Sequence, residues 1–87
     1  MYYLYMLQCS DGSLYTGITN DIAKRFSEHK NKIGGRYTRS HEVKKILYTE
    51  KYRTKSGALK RELEIKSWRR EKKLALINNP IKAPQQL

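Results

Sequence analysis

The tightest constraint on this chain is the stretch Ser10-Asp11-Gly12-Ser13. It separates an aromatic and aliphatic run, Tyr2 to Cys9, from a second β-prone run, Leu14 to Thr19. Turn formers between two strand-like runs specify a β-hairpin. With 87 residues there is room for one hydrophobic core and no second domain, so the remaining chain must cover this hairpin.

The covering elements can be read in order. Thr19, Asn20 and Asp21 supply N-cap chemistry before a helix over Ile22 to Asn31, on which Ile22, Ala23 and Phe26 share a stripe. Lys32 to His41, with Gly34-Gly35, fits neither period and reads as a mobile loop. Val43 to Tyr52 alternates as a third strand, burying Val43, Ile46 or Leu47, and Tyr48. Thr54 or Ser56 caps a helix from about Gly57 to Trp68, and Arg70 to Asn78 forms another with a stripe of Leu74 and Ile77. The order β-β-α-β-α-α predicts an α+β fold, a small three-stranded antiparallel sheet packed with three helices. The domain is expected to span residues 1–79, with 80–87 a flexible tail.

Charge narrows the partners. Nineteen Lys and Arg against eight Asp and Glu leave +11, and such a surface calls for a polyanion, nucleic acid before all others. Eighteen of these cations lie between Lys24 and Lys73, leaving the hairpin neutral. Lys24, Arg36, Arg39, Lys44 and Lys66 are candidates to track a phosphate backbone, with Tyr37 placed to stack on a base. Lys60, Arg61, Arg69, Arg70, Lys72 and Lys73 flank the second helix. No run approaches the ~20 apolar residues of a transmembrane helix, and no basic segment precedes Tyr2 to Leu7 as in a signal peptide, so a soluble, cytoplasmic protein is expected. Cys9 is the single cysteine and reads as a small buried hydrophobe. One Cys with His29 and His41 cannot make a structural zinc site, so any metal must rest on oxygen ligands.

A few residues break their local pattern. At ~100° per residue, Ala58, Leu59, Leu63 and Ile65 define an apolar arc with Glu62 in its middle, whereas Glu64 falls opposite. A carboxylate there needs a cation, a hydrogen-bond network or a metal. An i to i+4 pair with Lys66 is the plain alternative. Arg25 borders the Ile22/Phe26 stripe, either covering apolar surface with its stem or offering its fork to a phosphate. His29, one turn on, shares that edge and is either a packed histidine or a base. Tyr2, Tyr3, Tyr5 and Tyr15 crowd the hairpin. A two-residue Asp11-Gly12 turn would send Tyr5 and Tyr15 to opposite faces, while a three-residue loop with Gly12 left-handed, or a bulge, would bring them together.

Tyr5, Tyr15 and Arg25 step by ten, followed by a helical glutamate in Ala58-Leu59-Lys60-Arg61-Glu62. This spacing resembles the GIY-YIG nuclease family. Its first triplet stands here as Tyr3-Leu4-Tyr5 and its second as Tyr15-Thr16-Gly17, departing from the family's pattern at Tyr3 and Thr16. The resemblance covers residues 1 to about 78. Gly35-Arg36-Tyr37-Thr38-Arg39 with Ala58 to Lys66 looks like the short, stand-alone bacterial branch, similar to the catalytic domain of the excinuclease of this family without its added DNA-binding domains.

The resemblance implies a metal-dependent endonuclease acting on DNA more than RNA, with structured or damaged DNA in repair or recombination as substrate. Glu62 would hold one Mg2+ or Mn2+ ion with waters and a phosphate oxygen. Arg25 would clamp the scissile phosphate, Tyr5 would orient or deprotonate the attacking water, and Tyr15 would hold the network. A tyrosine pKa of ~10 is too high for a base at neutral pH, so nearby cations (Lys24, His29 or Lys66) are expected to lower it. His29 is the secondary candidate, as proton relay or phosphate donor. The chain is expected to be a monomer, with a protein partner as one source of specificity. Two competing readings are a non-catalytic nucleic-acid-binding module of the same fold and an accessory domain whose charge meets an acidic protein.

Overall fold

The computed structural model describes residues 1–31 and 41–78. Strands β1 (Tyr2–Cys9) and β2 (Leu14–Thr19) form the hairpin; helix α1 (Ile22–Lys30), strand β3 (Val43–Tyr52), helix α2 (Lys55–Lys66) and helix α3 (Arg70–Asn78) follow. The sheet is antiparallel in the order β2-β1-β3. Fold class and element order are as the sequence implies. The loop and tail expectations, together with Arg36, Tyr37 and Arg39, lie outside the described residues.

The hairpin turn decides which side chains meet. Tyr5 pairs with Gly17, Leu7 with Tyr15 and Gln8 with Leu14, and Cys9 donates its N–H to the Ser13 carbonyl at 2.9 Å. That leaves the odd connection Ser10-Asp11-Gly12, with Gly12 in the left-handed region at φ 86°. Asp11 accepts from the Ser13 backbone and hydroxyl, fixing the turn. Tyr5 and Tyr15 therefore share one face.

The two faces bury different things. Leu4 and Met6 of β1 pack with Tyr48 and Tyr52 of β3 beneath Ala58 and Ile65 of α2, with Leu76 and Ile77 of α3 against the same cluster. Tyr5, Leu7 and Cys9 pack with Val43 on the other face, joined by Tyr15, Ile46 and Phe26 of α1. Two register shifts explain why the third strand's alternation is ambiguous by sequence. Met6 pairs with Tyr48 but Leu7 with Ile46, and Gln8 pairs with Lys45 but Cys9 with Val43. The extra residues, Leu47 and Lys44, are β-bulges, so Ile46 and Leu47 serve opposite faces.

The caps follow the sequence. The Asp21 side chain accepts from Lys24 N–H, and the Thr54 side chain accepts from Gly57 N–H, so Thr54 rather than Ser56 begins α2. Helix α3 is tied to the hairpin by Arg70, which donates to the Gly12 carbonyl at 2.8 Å. Cys9 is buried and free. Among the described residues, no helix is long and apolar enough to cross a membrane.

Helix α2 departs from expectation. Its buried residues are Ala58, Arg61 and Ile65, whereas Leu59 and Leu63 stand 40% and 61% exposed. The buried face is rotated by about 80° from the apolar arc read in the sequence, so Glu62 lies at its edge and not at its centre. On β3, Glu50 points inward and pairs with Arg61 at 3.0 Å, so that face of α2 carries a buried ion pair. Arg61 is correspondingly not part of the exposed basic surface to which its sequence position assigns it.

Candidate active site

The tyrosine face gathers four of the five residues the sequence singles out for chemistry. The Tyr5 hydroxyl lies 2.9 Å from Nε2 of His29. The Tyr15 ring is 6.2 Å from that of Tyr5 and stands edge-on to His29 at 5.1 Å. Arg25 sits one turn before His29 on the same helix face, and its guanidinium acts on the Tyr5 oxygen. Arg25 is itself held by Glu28, at 2.9 Å from Nη1.

Proton positions follow from burial. His29 is fully buried, and desolvation, then the Arg25 charge, pushes its imidazole below the ordinary 6.5. The ring is neutral at pH 7 and Nε2 can accept the Tyr5 proton. Desolvation likewise raises the Tyr5 phenol to about 12 despite Arg25, which pulls it down. This corrects the expectation that neighbouring cations lower it. Burial wins because the cluster sits between sheet and helix, where a phenolate would lose its hydration.

Gly17 enters the sequence pattern only as the last member of the second triplet, yet it shapes the site. It lies directly across from Tyr5, and a Cβ there would come within 2.6 Å of the Tyr5 hydroxyl and 3.1 Å of the Tyr15 ring. Only a glycine lets the Tyr5 ring lie over β2 and reach His29. Its signal depends on the turn length, since the register is what places Gly17 opposite Tyr5.

Glu62 is carried on α2, against the opposite face. Its side chain is 12% exposed and pairs with half-exposed Lys66 at 3.3 Å, the plain alternative for this carboxylate. Arg61, on one side of the buried helical face, reaches β3, and Glu62 lies about 100° further round the helix, at the edge of that face. Among the described residues no group of three or more His, Cys, Asp and Glu could hold a metal. A single, partly accessible carboxylate whose partner is a flexible ammonium fits an ion that keeps most of its waters, as Mg2+ does. Lys24, Lys44 and Lys66 are exposed, as phosphate contacts require.

The arrangement is that of a known family. Residues 1–75 match the GIY-YIG catalytic domain, and the chain belongs to the GIY-YIG family. Within it, the chain is similar to small bacterial proteins designated UPF0213. It is 49% identical to one from Staphylococcus saprophyticus over 77 residues, covering 88% of this chain and 94% of that protein. It is 47% identical to one from Staphylococcus aureus over 76 residues, covering 87% and 93%. Two solution structures are similar. The UPF0213 protein BH0048 from Bacillus halodurans has TM-score 0.55 and 35% identity, covering 90% of this chain and 84% of that one. The protein EF2693 from E. faecalis has TM-score 0.63 and 32% identity, covering 99% and 93%.

Proposed function

We propose that this protein is a metal-assisted endonuclease that hydrolyses phosphodiester bonds in DNA, with Tyr5, Tyr15, Arg25, His29 and Glu62 as its catalytic residues. The observation that carries this reading is the convergence of Tyr5, Tyr15 and His29 beside Arg25, brought about by an odd hairpin turn and a glycine beneath Tyr5. Family membership and the +11 charge point the same way.

Each residue has a task suited to its chemistry. Arg25 binds the scissile phosphate and offsets charge growing on it. Neutral His29 accepts a proton through the Tyr5 hydroxyl, so that Tyr5 orients the attacking water and passes its proton inward without resting as a phenolate. Tyr15 fixes the imidazole plane. Glu62 would hold a divalent ion, which would supply polarisation of the phosphate and acidify water beside it. Lys24, Lys44 and Lys66 contact the backbone on either side. The site belongs to one cytoplasmic monomer, and structured DNA of repair or recombination is the substrate class.

The test is a cleavage screen on flapped, branched and single-stranded DNA and RNA with Mg2+ and Mn2+, repeated with Arg25→Ala and His29→Ala. Cleavage that requires metal and falls in both variants supports the reading. Steep salt-dependent binding without turnover on any substrate would replace it with a binding module.

A further inference from the structure

Helix α2 carries two faces that compete for the sheet. One is the apolar arc of Ala58, Leu59, Leu63 and Ile65, whose burial would draw Glu62 under the helix. The other, which is the one buried, holds Ala58, Arg61 and Ile65 and leaves both leucines in solvent. What selects the second face is a saturated polar cluster. Glu50 is 2% exposed and accepts from the Tyr48 and Tyr52 hydroxyls and from Nε and Nη2 of Arg61. Arg61 also donates from Nη1 to Glu64 at 3.0 Å, and its guanidinium lies 5.0 Å from the Trp68 ring centre just beyond the helix.

We propose that the Glu50–Arg61 pair is a rotational key that keeps α2 from rolling onto its leucines and thereby holds Glu62 at the edge of the buried face, where its carboxylate keeps access to solvent. Both are positioning residues; they act on the reaction through Glu62, which follows Arg61 in the chain. Arg61 is anchored on β3, and Glu62, about 100° further round the helix, is left at the edge of the buried face with 12% of its side chain exposed. A roll of about 80° would centre Glu62 on the buried face. A buried ion pair is a weak source of net stability but a strong selector of one packing over another, because the rival packing leaves charges unpaired. The catalytic part of this inference rests on Glu62 having the role proposed above; the orientation part does not.

The experiment compares wild type with Glu50→Gln/Arg61→Gln, which removes both charges and leaves neither unpaired, and with Arg61→Lys, which keeps charge but loses the fork. NMR with a soluble paramagnetic agent reads the solvent exposure of the Leu59 and Leu63 methyls, with no substrate present. In the double variant both are expected to become shielded like Ile65, with kcat for cleavage falling about 10- to 100-fold at unchanged KM. Arg61→Lys should fall between, and it decides the matter if the double variant does not fold. Leucine exposure unchanged in a folded variant would overturn the key, and shielded leucines with unchanged kcat would overturn its role in holding Glu62. Wild-type protein that cleaves nothing would count against the proposed function alone, since the leucine signals still report the roll.

Discussion

Two pairs of tyrosines close on an ionisable group, one pair on each face of the sheet, and the pairs are built to different ends. Tyr48 and Tyr52 both donate to Glu50, whose remaining capacity Arg61 takes up. Burial, then Glu50 itself, holds both hydroxyls protonated. Tyr5 and Tyr15 meet instead around a neutral imidazole, with the Tyr5 hydroxyl at hydrogen-bond distance and an arginine at the edge. The charged cluster is saturated and fixes the packing of a helix. The neutral one holds a hydroxyl against an imidazole that can take up a proton, as the proposed catalysis requires.

This contrast can be broken by mutation, beginning with its costliest member. Arg61→Ala leaves Glu50 buried without a cation, and about 3–5 kcal/mol of stability should be lost. Out of a typical total of roughly 5–15 kcal/mol, urea denaturation would show that at once. A loss no larger than that of Tyr5→Phe would erase the distinction between the clusters. Gly17→Ala comes next, because its methyl meets Tyr5 at 2.6 Å and the ring must move. About 1–3 kcal/mol should be lost, with cleavage falling as well. Tyr5→Phe should cost only ~1 kcal/mol, the value of one hydrogen bond, yet lower cleavage by about 10²-fold.

The smallest expected effect is on pH dependence. His29 has a folded pKa below its unfolded value of 6.5, so the neutral ring is favoured by folding. Its contribution is complete above 6.5 and is lost as pH falls through the folded value. Denaturation followed between pH 7 and 5 should show this loss in wild type and not in His29→Phe. Cleavage should fall on the same acid limb.

Most of the sheet is legible in the sequence because turn chemistry and β-prone runs are local signals. The shared face of Tyr5 and Tyr15 is legible only as a condition on the turn, which the left-handed Gly12 meets. The face of α2 is not legible, since what turns it is Glu50, distant in sequence and hidden at an alternate position of β3 between two tyrosines. Hydrophobic periodicity ranks Leu59 and Leu63 above Arg61; a buried carboxylate on a neighbouring strand reverses that order. The Tyr5 pKa is misjudged from sequence for a related reason, because nearby cations can be counted there and lost water cannot.

Glu62 is where the catalytic reading is most exposed to refutation. Single-turnover cleavage of a DNA substrate by wild type and by Glu62→Ala, at saturating Mg2+ and with binding measured in parallel, tests it. Metal-dependent cleavage in wild type that falls by about 10³-fold in Glu62→Ala, with DNA affinity kept, is the predicted result. Cleavage at the same rate in both proteins would contradict it.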